Sequence, residues 1–212
     1  MHEPVTLRRA TPDDWRAYRA LRLRSLELAP DAFGSTLDAE SPQPDEWWRG
    51  RLATSHTLLA EVDGGAVGIG TGIRDRHEIG SREIVGLWVE PEFRGRGIAR
   101  EMIQALATWA RDAAAHAIAL WVSDGNPARS VYERAGFVAT DERDVVRGTL
   151  MEERMRRTLE RSEPQETPGW RSGGIVLDGE PLDLEGINPW LHSWVDTGEI
   201  VWMRHPSYPT QL

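Results

Sequence analysis

The sequence predicts an α/β fold of the α+β kind, with helices packed on a mixed sheet, and three observations carry this. First, the apolar run Ile84-Val-Gly-Leu-Trp-Val89 reads as a strand, halted by Pro91. It leads through a turn with two glycines into Ile98–Trp109, where Ile98, Met102, Ala105, Leu106 and Trp109 recur at three- and four-residue spacing, as on an amphipathic helix. Second, Ala117-Ile-Ala-Leu-Trp-Val122 is nearly all apolar, as a central strand covered on both faces would be. Third, Thr57–Val62 and Ala66–Ile73 are strand-like and are joined by the tight turn Asp63-Gly64-Gly65.

The remaining elements fall around these. Val5–Arg9 is a short strand candidate. Thr11 and Pro12 suit the cap and first position of a helix that runs to about Leu28, with Trp15, Tyr18, Leu21 and Leu26 on one side. Ala29-Pro30 ends it. Asp31–Leu37 and Ser41–Asp45 read as loops, and Pro44–Leu52 as a second helix carrying Trp47 and Trp48. After Val122, Asp124–Pro127 turns the chain. Pro127–Arg134 reads as a short helix stopped by Gly136. Phe137–Thr140 and Arg147–Arg157 are the last two strand candidates.

Composition narrows the function classes. The 212 residues include no cysteine, which excludes disulfides, thiolate metal sites and thiol nucleophiles. The net charge is −9 and every basic side chain is Arg or His. A nucleic-acid binder would carry a basic surplus, so no nucleic-acid partner is expected. No run approaches the ~20 apolar residues of a membrane span, and Met-His-Glu-Pro lacks a signal pattern. A cytoplasmic protein is the simplest expectation. The six histidines are scattered without ligand spacing, so no metal is expected. The mild acidity leans towards a cationic acceptor.

The turn Arg94-Gly95-Arg96-Gly97 carries the first chemical signal. The opening N–H groups of a helix lack intrahelical partners, and the helix dipole adds roughly half a positive charge there. Two glycines let a ligand approach the backbone, and the arginines add donors. The combination suits a phosphate or pyrophosphate. A P-loop is ruled out because no Gly-Lys-Ser/Thr follows. Gly95-Arg-Gly97 is only a fragment of a dinucleotide fingerprint. An ordinary strand–turn–helix with surface arginines is the remaining plain reading.

Arg94-x-x-Gly97-x-Ala99 resembles the Arg/Gln-x-x-Gly-x-Gly/Ala loop of the GNAT acetyltransferases. A second stretch, Asn126-Pro-Ala-Arg-Ser-Val-Tyr132-Glu-Arg-Ala-Gly-Phe137, resembles that family's Asn…Ala…Tyr-Glu-x-x-Gly-Phe signature after the fifth strand. The element order β-α-α-β-β-β-α-β-α-β-β is also similar. The resemblance covers about residues 5–158, and Asp31–Leu37 resembles the family's loop after the first helix. It implies the GNAT acyl-CoA acyltransferase fold and transfer of an acetyl group from acetyl-coenzyme A, a co-substrate, to a primary amine of a small molecule or protein. A GNAT body that binds acyl-coenzyme A without turnover is the rival implication.

The resemblance also implies roles. The amides of Gly95, Arg96, Gly97, Ile98, Ala99 and Arg100 would hold the pyrophosphate, with charge from Arg94 and Arg96. The backbone of Leu87, Trp88 and Val89 would pair with the pantetheine arm, beside a bulge that opens a cleft to the strand at Ala117–Val122. Tyr132 would protonate the departing thiolate, since a phenol of pKa ~10 is matched to a thiol of ~8.5; otherwise it is a packed core tyrosine. Asn126 would bond the cofactor arm, or, standing six rather than the usual seven residues before the tyrosine, act only as a turn and cap residue with Asp124 in part replacing it. Glu83 stands where histone acetyltransferases of the superfamily carry a catalytic glutamate. It is either the base or a solvated charge beside Arg82, on the same side as Val85 and Leu87 unless a bulge intervenes. The ribosomal-type N-terminal acetyltransferases carry a glutamate on the fifth strand, where Trp121 stands here, which argues against that subclass. His77 and Glu78, in a loop, are placed outside the site.

The domain expectation is an acetyltransferase domain over 1–160, a polar linker over 161–168 and a small Trp-rich β appendage over 169–212. Trp170, Trp190, Trp194 and Trp202 fall in the last part, with strand-like Ile175–Leu177 and Glu199–Met203. So small a piece is expected to pack on the main domain or on a second copy, making a homodimer.

Overall fold

The structure, a computed structural model, describes residues 4–160 and the strand residues 176–177 and 180–181. The chain divides into two units, Met1–Glu163 and Pro164–Leu212. In the second, β8 (Val176–Leu177) pairs antiparallel with β9 (Glu180–Pro181). The expected strand at 199–203 and the four C-terminal tryptophans lie outside the described residues.

In the first unit the chain runs β1 (Thr6–Arg9), α1 (Trp15–Leu28), α2 (Leu37–Glu40), α3 (Asp45–Ala53), β2 (His56–Val62), β3 (Gly65–Arg74), β4 (Ser81–Val89), α4 (Ile98–Asp112), β5 (Ala117–Ser123), α5 (Arg129–Arg134), β6 (Val138–Arg147) and β7 (Leu150–Thr158). Seven strands form one sheet in the order β1-β2-β3-β4-β5-β7-β6. Only β4 and β5 run parallel, joined through α4; the mixed sheet agrees with the fold class expected.

Two expectations at element ends need correction. Pro12–Asp14 is a 3-10 turn that precedes α1 rather than its first turn; Asp14 folds its carboxylate back to accept from the Thr11 N–H at 2.7 Å. The strand expected at Phe137–Thr140 extends to Arg147, and the last strand begins only at Leu150. β6 is an edge strand with most side chains exposed, so it shows no apolar alternation from which to read its length.

Each sheet face has its own core. On one face Ile98, Met102, Ile103 and Leu106 of α4 pack with Ile84, Ile118 and Leu120. On the other, Trp15, Tyr18 and Leu21 of α1 pack with Trp48, Leu59, Ile69 and Trp88. The buried stripe of α4 includes Ile103 and Ala110, while Ala105 and Trp109 flank it half-buried. β3 lets α4 come close through glycines: a Cβ at Gly70 would lie 3.2 Å from Met102 Cε, and one at Gly72 would overlap the Trp109 ring.

Candidate active site

The site begins with a fault in β4. Trp88 pairs with Ile69 of β3 and Val85 with Thr71, so β4 takes three steps where β3 takes two. Gly86, at φ +63°, absorbs the extra residue in the left-handed region. Beyond it the side-chain alternation is inverted. Ile84 and Leu87 both join the core under α4, while Glu83 and Val85 face the opposite side. The expectation that Leu87 shares a side with Glu83 held only without a bulge, and the bulge at Gly86 separates them. On its other edge β4 pairs with β5 only at Ser81, Arg82 and Glu83, and the strands then part. The gap continues into a cleft of about 1080 Å³, with Leu87, Trp88 and Val89 along one wall.

At the far end of β4 the turn enters α4. Gly95 and Gly97 have φ of +76° and +86°. The first helical hydrogen bond is from Glu101 N–H to Gly97 O at 3.1 Å. None of the earlier N–H groups from Gly95 to Arg100 donates to a backbone carbonyl among the described residues, which leaves a row of donors at the positive end of a fifteen-residue helix. Gly95, Gly97, Ile98, Ala99 and Arg100 line the cleft, as does Arg94. Arg94 lies over the Trp88 ring at 4.4 Å and donates to Val89 O, which ties the turn back to β4. The Arg96 side chain is not in the cleft lining. Its guanidinium lies over Phe93 and donates to Glu92 O, because the residue between two left-handed glycines turns outward.

Tyr132, on α5, reaches the cleft from the β5 side. Its ring packs edge-on against Phe137 and is 8% exposed. Its hydroxyl has no hydrogen-bond partner among the described residues, and burial pushes the phenol up to about 12. Asn126 also lines the cleft, and its side-chain oxygen accepts from Ala128 N–H at 2.9 Å. That is the turn-and-cap role. Asp124 is exposed and paired with Arg143.

Glu83 stands where β4 and β5 part. It is 9% exposed and without a hydrogen bond among the described residues. Burial pushes its carboxyl up, and the charge of Asp75 adds to this. Glu83 lines the main cleft and also a second cavity of about 240 Å³ on the α1 side of the sheet. Val85, Trp121 and Glu152 border both.

His77 does not line the main cleft. It lines the second cavity, with its ring 5.1 Å from that of Trp121. Glu78 holds the same loop down, accepting from Arg156 and bonded to His116. Two buried charged groups had no sequence signal of their own. Glu152 is one; the alternation of β7 puts it opposite Ser123, facing the cavity. Arg22 is the other: it sits inside the apolar stripe of α1, bonded twice to Glu40 at 2.7 and 3.0 Å, and borders the cleft.

A family model described as the acetyltransferase (GNAT) family matches residues 21–137. The chain belongs to that family. Solved structures share the fold of this GNAT acetyltransferase at low identity. A GNAT-family acetyltransferase from Streptococcus pneumoniae is 19% identical, with 74% of this chain and 100% of that one covered and a TM-score of 0.62. YncA from Salmonella typhimurium, solved with its cofactor acetyl-CoA, is 22% identical, with 74% and 95% covered and a TM-score of 0.60. A ribosomal-protein-alanine N-acetyltransferase from Brucella melitensis is 24% identical, with 73% and 99% covered and a TM-score of 0.59. No curated protein matches the chain by sequence. The family match contains the β4 bulge, the glycine turn and Tyr132; Asp144 and Glu152 of the acetyltransferase lie beyond it. Among the described residues no helix is long and apolar enough to cross a membrane, and no group of three or more His, Asp or Glu could hold a metal ion.

Proposed function

We propose that the protein transfers an acetyl group from acetyl-coenzyme A to a primary amine. One observation carries the reading: Glu83 and Tyr132 border the same cleft, which is also lined by the glycine turn with its unpaired amides. The chain fits the co-substrate at two points. The amides from Gly95 to Arg100, with Arg94 and Arg100 beside them, suit a pyrophosphate. The free edge of β4 over Leu87–Val89 offers backbone groups to an extended amide-bearing arm, as a strand would.

Acetyl-coenzyme A supplies the acetyl group as a thioester; the amine nitrogen bonds to its carbonyl carbon as the carbon–sulfur bond breaks. The protein's part is positioning and proton movement. Glu83, lacking a hydrogen-bond donor and raised by burial, takes the proton the amine must lose. Tyr132, held protonated by burial, gives its proton to the departing sulfur and recovers one from solvent. Arg94 holds the turn against β4 through Val89 O and so fixes the distance between anion site and thioester.

The test is a thiol-release assay over a panel of amines, with calorimetric titration of acetyl-coenzyme A. Turnover on at least one amine is expected, together with saturable binding. Binding with no turnover on any amine would favour an acyl-coenzyme A sensor, and no binding would end both readings.

A further inference from the structure

The second cavity is not used by the cofactor side of the reaction, yet it is built of groups that need a partner. Glu83 projects into it nine-tenths buried and without a hydrogen bond. Glu152, equally buried, accepts only from the Ser123 hydroxyl at 3.4 Å, near the limit of a hydrogen bond. Asp144 faces Glu152 across the β6–β7 pair and adds a third carboxylate. The buried cations of this face are already engaged, Arg154 by Asp75, Glu78 and Glu142, and Arg22 by Glu40. Arg76 and His77, both exposed, line the rim and do not balance three acids. Buried carboxylates short of donors are costly, so a site that holds Glu83 without a hydrogen bond and Glu152 with a single long one is poised for a cation. Trp121 lines the same pocket, with its ring tilted against His77.

On the acetyltransferase reading, we infer that the acceptor is a small dicationic amine, its reacting nitrogen at Glu83 and its second ammonium in the pocket of Glu152 and Asp144. The geometry supports this division, because Glu83 borders both cavities while Asp144 borders only the second. The volume supports a small molecule. A cavity of about 150 Å³ holds benzene, and one of about 240 Å³ holds a short aminoalkyl chain.

The experiment compares kcat/KM for 1,4-diaminobutane, butylamine and 4-aminobutyrate with the full chain and saturating acetyl-coenzyme A. The diamine is expected to exceed butylamine by about tenfold or more, the scale of a hydrogen bond to a charged group, with 4-aminobutyrate slowest. Glu152→Gln should shrink the diamine-to-butylamine ratio severalfold, mainly through KM. Asp144→Asn, at an exposed position that does not threaten folding, should shrink it less. Equal rates for diamine and butylamine, a preference for 4-aminobutyrate, or a ratio unchanged in both variants would overturn the inference. If none of the three is acetylated but another amine is, the dication assignment fails and the acetyltransferase reading stands. If acetyl-coenzyme A binds and no amine is acetylated, both fail.

Discussion

Glu83 and Ala119 are the last pair of residues joining β4 to β5. Beyond this pair the two strands no longer run in register with each other, and the cleft starts there. The side chain at the fork has the sheet on one side and the cleft on the other, which explains how a carboxylate in a strand of apolar neighbours is both nine-tenths buried and open to a ligand. The same fork leaves the β4 backbone free to pair with something other than β5.

Replacing Glu83 with Gln should lower kcat by ~10²–10⁴-fold if it is the base while raising the melting temperature near pH 8. The sign follows from the direction of the shift. Burial raises the folded carboxyl above its ordinary value of 4.5, so ionisation costs the folded state more than the unfolded one. The cost is absent below the unfolded value, grows as pH rises towards the folded value and is complete above it. The stability gain of Glu83→Gln should therefore be largest near pH 8 and vanish near pH 4. Melting curves across that range would refute the assignment of an unpaired buried charge if the variant melted lower than the parent at pH 8.

Tyr132→Phe should reduce kcat more than it changes KM for acetyl-coenzyme A, because the hydroxyl acts on the leaving sulfur. Since burial holds the phenol at about 12, the parent should show no loss of kcat from this group below about pH 10. A steady-state pH profile checks both points. An alkaline fall starting near pH 8 that disappears in Tyr132→Phe would mean that the phenol loses its proton far earlier than its surroundings imply.

Gly97 separates strain from charge. A Cβ there meets nothing within 4 Å, but φ is +86°. Gly97→Ala should cost about 1–2 kcal/mol of stability for the left-handed backbone, with a small loss of affinity. Gly97→Glu carries the same backbone penalty and adds a negative charge beside the free amides, so acetyl-coenzyme A affinity should fall by a further tenfold or more, about 1.4 kcal/mol. Calorimetry of folded variants at two salt concentrations decides this. Equal affinities for the two variants would remove the anion site from this turn.

Glu78 should govern acid stability. Hydrogen bonds from Arg156 push its carboxyl down to about 2, against burial and with help from His116. A lowered carboxyl contributes stability that is full above its ordinary value of 4.5 and is lost as pH falls from there through about 2. Glu78→Gln should cost about 1–3 kcal/mol at pH 7, as for a charged group losing its hydrogen bonds, and the gap to the parent should close as the pH approaches 2. Urea midpoints between pH 7 and pH 2 measure the gap; a constant difference over that range would contradict the ion pairing.

What could be read from the sequence was local. The turn Arg94–Gly97 and α4 behind it lie within one short stretch, where glycine, helix phase and unpaired amides are properties of neighbouring residues. The short helix that carries Tyr132, stopped by Gly136, was legible for the same reason, and so was the strand character of Ile84–Val89. The tertiary structure alone decided the side on which Leu87 lies, because the bulge at Gly86 is defined by how β4 pairs with β3. It also decided that Arg22, in the middle of an apolar helix stripe, is neutralised by Glu40 eighteen residues away. The acidic pocket is the clearest case. Glu83, Asp144 and Glu152 come from three strands and meet because the sheet order runs β4-β5-β7-β6 and the first gap opens at Glu83. A carboxylate's chemistry depends on which charges and donors surround it in space, and for these three the surroundings come from residues scattered over some eighty positions of sequence.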